Sequence, residues 1–112
     1  MAVKKIAGKE IKNAAASSEK IALIDFSATW CGPCKMLEPV LDKVSEELAD
    51  RVDVYTVDVD ASPQESSEFG IRGVPTMILF HKGKEIDRMV GFRDKGVLIN
   101  QLNGLADEKL GV

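Results

Sequence analysis

A nearly unbroken apolar stretch at residues 21–28 is the feature that most constrains the fold of this chain. A strand of this composition is typical of a sheet covered on both faces, because each face must be apolar to be buried. A helical pattern follows, with Leu37 and Leu41 on its apolar side and Glu38 and Asp42 on the other. The two patterns together predict a sheet that is packed between helices.

Strand and helix patterns alternate along the rest of the chain. The predicted strands are residues 3–6, 21–28, 52–59, 76–80 and 85–90. The predicted helices are residues 10–17, the amphipathic helix through Leu37 and Leu48, a short helix that stops at Gly70, and a last helix after Asp94. The order β-α-β-α-β-α-β-β-α predicts an α/β fold, a three-layer α/β/α sandwich with a mixed five-stranded sheet. The last two strands are predicted to form a hairpin, and residues 1–112 a single domain.

Local signals mark three of the helices. Ser62 and Glu65 have the spacing of a capping box, with Pro63 at the first helical position. Asp94 has the residue type and place of a helix cap. Pro39 lies inside the amphipathic helix and predicts a kink there, because its ring clashes with the preceding turn.

Composition argues against several classes of function. The chain of 112 residues carries a formal net charge of -3, whereas a nucleic-acid or anionic-membrane partner calls for a basic patch. No segment approaches the roughly 20 apolar residues that span a bilayer. The first six residues lack the apolar run of a signal peptide. We therefore expect a cytoplasmic monomer without nucleic-acid or membrane partners.

The two cysteines, Cys31 and Cys34, lie where the buried strand ends and the amphipathic helix begins. A bridge across so short a loop hardly restricts the unfolded chain and contributes little stability. In a reducing compartment such a pair is more often catalytic or metal-binding. A structural zinc site needs four ligands, and Cys31, Cys34 and the lone His81 make three, so no metal is expected.

The position of this pair predicts thiol–disulfide exchange. A helix N-terminus favours a thiolate over a thiol, and the thiolate is the nucleophile in disulfide exchange. Cys31, the more N-terminal, is predicted to be the exposed attacker, and Cys34 to resolve the mixed disulfide. Gly32 lets a substrate backbone come close, and Pro33 stiffens the loop so that both sulfurs stay within bonding reach.

Two further positions carry weaker signals. Asp25 interrupts the apolar stretch, where burial would raise its pKa and suit it to proton transfer near neutral pH. The alternative is an aspartate at a strand end that points to solvent. Pro75 follows Val74 at the start of a predicted strand, and the bond between them can be trans or cis.

Two segments carry a resemblance that covers essentially the whole chain. Residues 25–35 read DFSATWCGPCK, residues 70–76 read GIRGVPT, and glycines follow at Gly83 and Gly91. A CxxC pair alone is common, but WCGPCK together with this aspartate and this Val-Pro-Thr is highly specific. In these features the chain resembles the thioredoxin family. The resemblance implies the thioredoxin-like sandwich and a general protein-disulfide reductase that has no cofactor of its own.

The resemblance also implies a role for each site residue. Cys31 would attack, Cys34 would resolve, and Asp25 would help Cys34 to lose its proton through a water. Pro75 would be cis and would leave the Val74 backbone free to pair with an extended client segment. The implied client-binding surface consists of Trp30, Gly32, Pro33, Val59, Gly73, Val74, Pro75, Gly91 and Phe92.

The implied partners are a thioredoxin reductase, which recharges the pair, and disulfide-containing clients. Candidate clients are ribonucleotide reductase, peroxiredoxin and methionine sulfoxide reductase. The chain departs from the family at Ser27, where a second tryptophan is frequent, and at Thr56, where a lysine near the buried aspartate is frequent. The lysine's absence bears on the pKa of Asp25.

Two alternatives stay open on sequence grounds. The first is an oxidase or isomerase on the same fold, but such enzymes usually place a histidine between the cysteines, and the Gly32-Pro33 pair here favours reduction. The second is a binding module that uses the apolar surface around Trp30 without turnover, which the presence of both cysteines disfavours.

Overall fold

The computed structural model describes residues 3–17 and 19–111, and the elements follow the predicted order. The strands are β1 (Val3–Lys5), β2 (Ile21–Ser27), β3 (Val52–Asp58), β4 (Thr76–His81) and β5 (Lys84–Val90). The helices are α1 (Ile11–Ala16), α2 (Gly32–Glu47), α3 (Pro63–Glu68) and α4 (Lys95–Leu110), with a 3-10 turn at Gly8–Glu10 ahead of α1. None of the described helices is both long enough and apolar enough to cross a membrane.

The five strands form one mixed sheet in the order β1-β3-β2-β4-β5. β1, β3 and β2 are parallel, whereas β4 runs antiparallel to β2, and β5 antiparallel to β4. The predicted α/β fold with an antiparallel hairpin at one edge is therefore confirmed. The central strand β2 is buried from Ile21 to Phe26, as its continuous apolar sequence predicts.

Side chains of β2 alternate between two separate cores. Ile21 and Leu23 pack with buried residues of α2 and α4, whereas Ile24 and Phe26 pack with residues of α1 on the opposite face. The sheet is thus the middle layer of the predicted sandwich. Because alternate side chains of a strand share a face, Asp25 belongs to the face covered by α2. This alternation decides the surroundings of the carboxylate.

The predicted capping box at the start of α3 is wrong. Ser62 is the N-cap residue, but its hydroxyl oxygen makes no capping bond within α3 in the described chain and instead accepts the buried N–H of Gly8 at 3.1 Å. Local spacing cannot predict that the Ser62 hydroxyl binds Gly8 instead of an N–H of its own helix, because Gly8 is 54 residues away. Asp94 is the N-cap residue of α4, but its side chain makes no capping bond in the described chain. Its carbonyl accepts the Leu98 N–H at 3.0 Å as the first hydrogen bond of the helix.

The hairpin between β4 and β5 has a shorter turn than predicted. Lys84 already pairs with His81, so Lys82 and Gly83 form a two-residue connection. Their φ angles are 53° and 84°, both in the left-handed region. A two-residue turn with this conformation matches the twist of the flanking strands. Pro39 lies inside α2, which continues past it to Glu47, and the kink predicted there stays a prediction.

Candidate active site

The cysteine pair occupies the junction between β2 and α2. Cys31 is the N-cap residue of α2 with an extended backbone, φ −93° and ψ 115°, and Cys34 lies in the first turn. Their sulfurs are joined as a disulfide, with the Cα atoms 5.2 Å apart. The Cys34 backbone N–H donates to Cys31 Sγ at 3.2 Å. The first N–H groups of a helix have no carbonyl acceptor within the helix, and here the sulfur of the N-cap residue accepts one of them.

The two cysteines differ less in exposure than the sequence predicts. Cys31 is 4% exposed and Cys34 0% exposed. The order is as predicted, but the expectation of an openly exposed Cys31 is wrong. The half-buried side chains of Val59 and Val74 pack against the cluster of Ala28, Cys31 and Cys34. In the oxidised protein Cys31 is thus almost as buried as Cys34.

Asp25 is buried in the face of the sheet that α2 covers, with only 2% of the residue exposed. Burial raises the pKa of its carboxyl from 3.8 to about 7, and the negative charge of Glu38 adds to the rise. The predicted burial and raised pKa are confirmed, and the alternative of a solvent-facing aspartate is wrong. The Oδ1 atom of Asp25 has no hydrogen-bond partner among the described residues.

A cavity of about 330 Å³ lies beside Asp25. Polar and charged side chains from four elements line it, including Lys5 of β1, Glu38 of α2 and Thr56 of β3. Thr56 is the direct register partner of Asp25, so it stands where the family's lysine was expected. Although the lining is rich in carboxylates, no three His, Cys, Asp or Glu side chains within residues 3–17 and 19–111 are grouped to hold a metal ion.

The loop ahead of β4 faces the cysteines. The Val74–Pro75 peptide is cis, as the resemblance implies. The Val74 carbonyl oxygen lies 3.7 Å from Cys31 Sγ. Hydrogen bonds hold both ends of this loop: Thr76 Oγ1 donates to the Gly73 carbonyl at 2.6 Å, and the Gly91 N–H donates to the Pro75 carbonyl at 2.8 Å.

Trp30 is the most exposed large apolar side chain near the pair, with 69% of its surface accessible. Its indole N–H donates to Asp60 Oδ2 at 2.7 Å, and the Asp60 backbone N–H donates to Asp58 Oδ1 at 2.9 Å. These bonds fix the ring on the loop that follows β3. Asp60 was missed in the sequence, because a polar residue in a loop has no periodic pattern that marks its partner.

The remaining residues of the predicted client-binding surface differ in their surroundings. Gly32, Pro33 and Gly73 are exposed, whereas Pro75 is buried. A Cβ atom added at Gly32 or Gly73 would meet no other atom within 4 Å, so both glycines border open space. Phe92 packs against the main core formed with α2 and α4, not against the cysteine cluster.

Glu38 is the second residue that the sequence did not single out. Its pattern places it on the polar side of α2, and it is exposed as predicted, but it also lines the cavity beside Asp25. A usable signal was present: Glu38 follows Cys34 by four residues, and such residues lie on one side of a helix, one turn apart.

Comparison with known proteins agrees with this geometry. A family model described as Thioredoxin matches residues 2–104. A thioredoxin of Rickettsia prowazekii is 40% identical over 101 residues, covering 90% of this chain and 96% of the relative. A thioredoxin of Chlamydia muridarum is 47% identical over 83 residues, covering 74% of this chain and 80% of the relative.

The fold has solved counterparts as well. The crystal structure of chloroplastic thioredoxin z superimposes with a TM-score of 0.87 at 34% sequence identity, covering 96% of each chain. The sequence match, the shared fold and the cysteine pair at the start of α2 all agree. The chain therefore belongs to the thioredoxin family and is a thiol–disulfide oxidoreductase.

Proposed function

We propose that this chain reduces disulfides of protein clients, with Cys31 as the attacking nucleophile. The observation that carries the proposal is the Cys34 N–H aimed at Cys31 Sγ, 3.2 Å away, at the N-terminus of α2. In the reduced protein, this N–H and the positive end of the helix dipole stabilise a thiolate on Cys31. Cys34 lies inside the first turn and is fully buried, so client sulfur meets Cys31 first.

The reaction has two exchange steps. The Cys31 thiolate attacks one sulfur of a client disulfide, forms a mixed disulfide and releases the other client sulfur as a thiolate. Cys34 then loses its proton and attacks Cys31 Sγ, which forms the Cys31–Cys34 disulfide and releases the second client thiolate. The client gains two electrons and, after protonation, two protons, while this chain is oxidised from a dithiol to the disulfide.

Asp25 acts as the base for the second step in this proposal. Its pKa of about 7 lets the carboxylate accept a proton from Cys34 and return it to water at neutral pH. The cavity of about 330 Å³ that Asp25 lines is roomy enough for water, which would carry the proton to and from the carboxyl.

Client binding follows from the loop that faces the cysteines. The backbone of Val74 lies beside Cys31 Sγ, so an extended client segment that pairs with it would bring its sulfur to the nucleophile. The surface around this point is the predicted set, with Trp30 as its largest apolar group. Its exposed members are Trp30, Gly32, Pro33 and Gly73, and its partly or fully covered members are Val59, Val74, Pro75, Gly91 and Phe92.

A thioredoxin reductase completes the cycle by returning two electrons to the disulfide. A related protein of Mycobacterium leprae, 45% identical over 87 residues, carries the name "Bifunctional thioredoxin reductase/thioredoxin", which supports such a pairing. Ribonucleotide reductase, peroxiredoxin and methionine sulfoxide reductase are the proposed clients, and the cytoplasm is the proposed compartment, because a reducing milieu keeps such a dithiol in use.

Trapping of clients tests the assignment of the two cysteines. Cys34→Ser is expected to accumulate mixed disulfides through Cys31, because the second step is blocked after the first has occurred. Cys31→Ser serves as the matched control, since it keeps one cysteine and is expected to trap few or no clients. Non-reducing electrophoresis of insulin incubated with each reduced variant measures the adducts, and equal trapping by both would contradict the assignment.

A further inference from the structure

The carboxylate of Glu38 shares the cavity with Asp25, and the two come from different layers of the fold. We propose that Glu38 is a positioning residue for the reduction step, whose negative charge sets the pH at which Asp25 becomes a base. This inference rests on the proposed role of Asp25 and deepens it.

The geometry places Glu38 on the helix that carries Cys34 and beside the cavity that Asp25 lines. Glu38 lies one helical turn after Cys34 on α2, and Asp25 faces the same helix from β2. Both Glu38 and Asp25 line one cavity, so little protein material separates the two carboxylates. When one of two neighbouring carboxyls is already ionised, ionising the other costs more free energy, and a low-dielectric surrounding increases that cost. The raised pKa of Asp25 includes this contribution from Glu38, second to burial.

The charges around Asp25 are unevenly distributed among the packed elements. α2 contributes the carboxylates of Glu38 and Asp42 to the cavity lining, and β3 contributes Asp58 at its end. The described lining has one cationic side chain, Lys5 of β1. On β4, the residue that pairs with Asp25 is the uncharged Met77.

Lys5 lines the same cavity but lies two strands away from Asp25 in the sheet. Lys5 pairs with Thr56, and Thr56 pairs with Asp25, so the three lie in one row across three strands. At about 4.8 Å per strand, the Cα atoms of Lys5 and Asp25 are roughly 10 Å apart. Thr56 between them has no charge. The strand position between Lys5 and Asp25 therefore holds no cation that would oppose the negative charge of Glu38.

The functional consequence is that Asp25 changes from an acid to a base at a higher pH. Asp25 must be ionised to accept the proton of Cys34, and Glu38 delays that ionisation to higher pH. Removing the Glu38 charge should let Asp25 act as a base in more acidic solution. The acidic limb of the pH–rate profile for client reduction should then move to lower pH.

The test is a titration of the Asp25 carboxyl by carbon NMR in the oxidised protein. Glu38→Gln is expected to lower the titration midpoint by about 0.3 to 1 in pH, and Glu38→Lys to lower it further, because the effect follows charge. Glu46→Gln is the matched control: it removes the same charge from the same helix at an exposed position outside the cavity. It is expected to leave the midpoint unchanged.

The reduction of insulin disulfides against pH provides the functional readout. The acidic limb is expected to move by the same amount as the midpoint in each Glu38 variant, and Glu38→Gln should have no effect on the limb when combined with Asp25→Asn. An unmoved Asp25 midpoint in Glu38→Gln, or an equal shift in Glu46→Gln, would overturn the proposal. If the wild-type protein does not reduce insulin, the proposed function fails, whereas the titration still decides the influence of Glu38.

Discussion

Among single residues, Asp25 has a proposed role in proton transfer, and its buried carboxyl also lowers the free energy of unfolding when it is ionised. It is buried in the face of the sheet that α2 covers, and its pKa is about 7 in the folded protein against 3.8 for an exposed aspartate. Between these two pH values the native state binds more protons than the unfolded state. The free energy of unfolding therefore falls as pH rises from about 4 to about 7, and is flat above that range as far as Asp25 is concerned.

Replacing this carboxyl by its neutral amide should recover the lost stability. We expect Asp25→Asn to increase the free energy of unfolding by about 2 to 4 kcal/mol at pH 8 and to leave it nearly unchanged at pH 3. Urea denaturation of the oxidised proteins at both pH values measures the difference. A gain of equal size at pH 3 and pH 8 would show that something other than the ionisation of Asp25 is responsible.

At the scale of the elements, the turn of the hairpin is the place where the sequence is least suited to the conformation. Among the described residues other than glycine, Lys82 is the one with a positive φ, 53°. A left-handed conformation costs a residue with a side chain about 1 to 2 kcal/mol, and asparagine tolerates it better. The neighbouring Gly83, at φ 84°, has no such cost.

Lys82→Asn is therefore expected to stabilise the protein by about 0.5 to 1 kcal/mol. Lys84→Asn is the matched control, because Lys84 lies in β5, where asparagine is disfavoured. Thermal unfolding of both variants measures the effect. The interpretation fails if Lys84→Asn stabilises as much as Lys82→Asn.

For the whole molecule, α4 closes the core on the face that α2 also covers. Leu102 of α4 is fully buried there, together with Leu98 and Ala106, whereas Leu105 is only partly buried. The chemistry lies at the start of α2, so α4 supports the site through packing of the shared core. A substitution in α4 is therefore expected to change the stability of the protein without changing the chemistry of the cysteines.

Leu102→Ala is expected to lower the free energy of unfolding by about 2 to 5 kcal/mol, because truncation leaves a cavity in a packed core. The loss in Leu105→Ala should be smaller, since part of that side chain is already in water. Urea unfolding measures both, and insulin reduction below the unfolding transition is expected to keep the wild-type pH dependence. A changed pH dependence in Leu102→Ala would mean that α4 takes part in setting the site.

Much of the fold and of the site is predicted from the sequence, because the decisive signals are local. The periodicity of residues 21–28 and of α2 predicts the buried strand and its helix, and the cysteine spacing places both sulfurs in one turn. The resemblance adds the cis bond at Pro75, which the structure confirms. That residues 1–112 form a single domain stays a prediction.

The amino-acid sequence by itself determined the order of elements and the identity of the redox pair, since neighbours along the chain suffice for both. Only the tertiary structure decided that Ser62 binds Gly8, that Asp60 holds Trp30, and that Glu38 shares a cavity with Asp25. The physical reason is strand register and helix packing, which bring together groups that are distant in sequence and whose electrostatic interaction depends on distance and burial. Cys31 and Cys34 could be found in the sequence, whereas the charges that surround the proton acceptor could be found only in the fold.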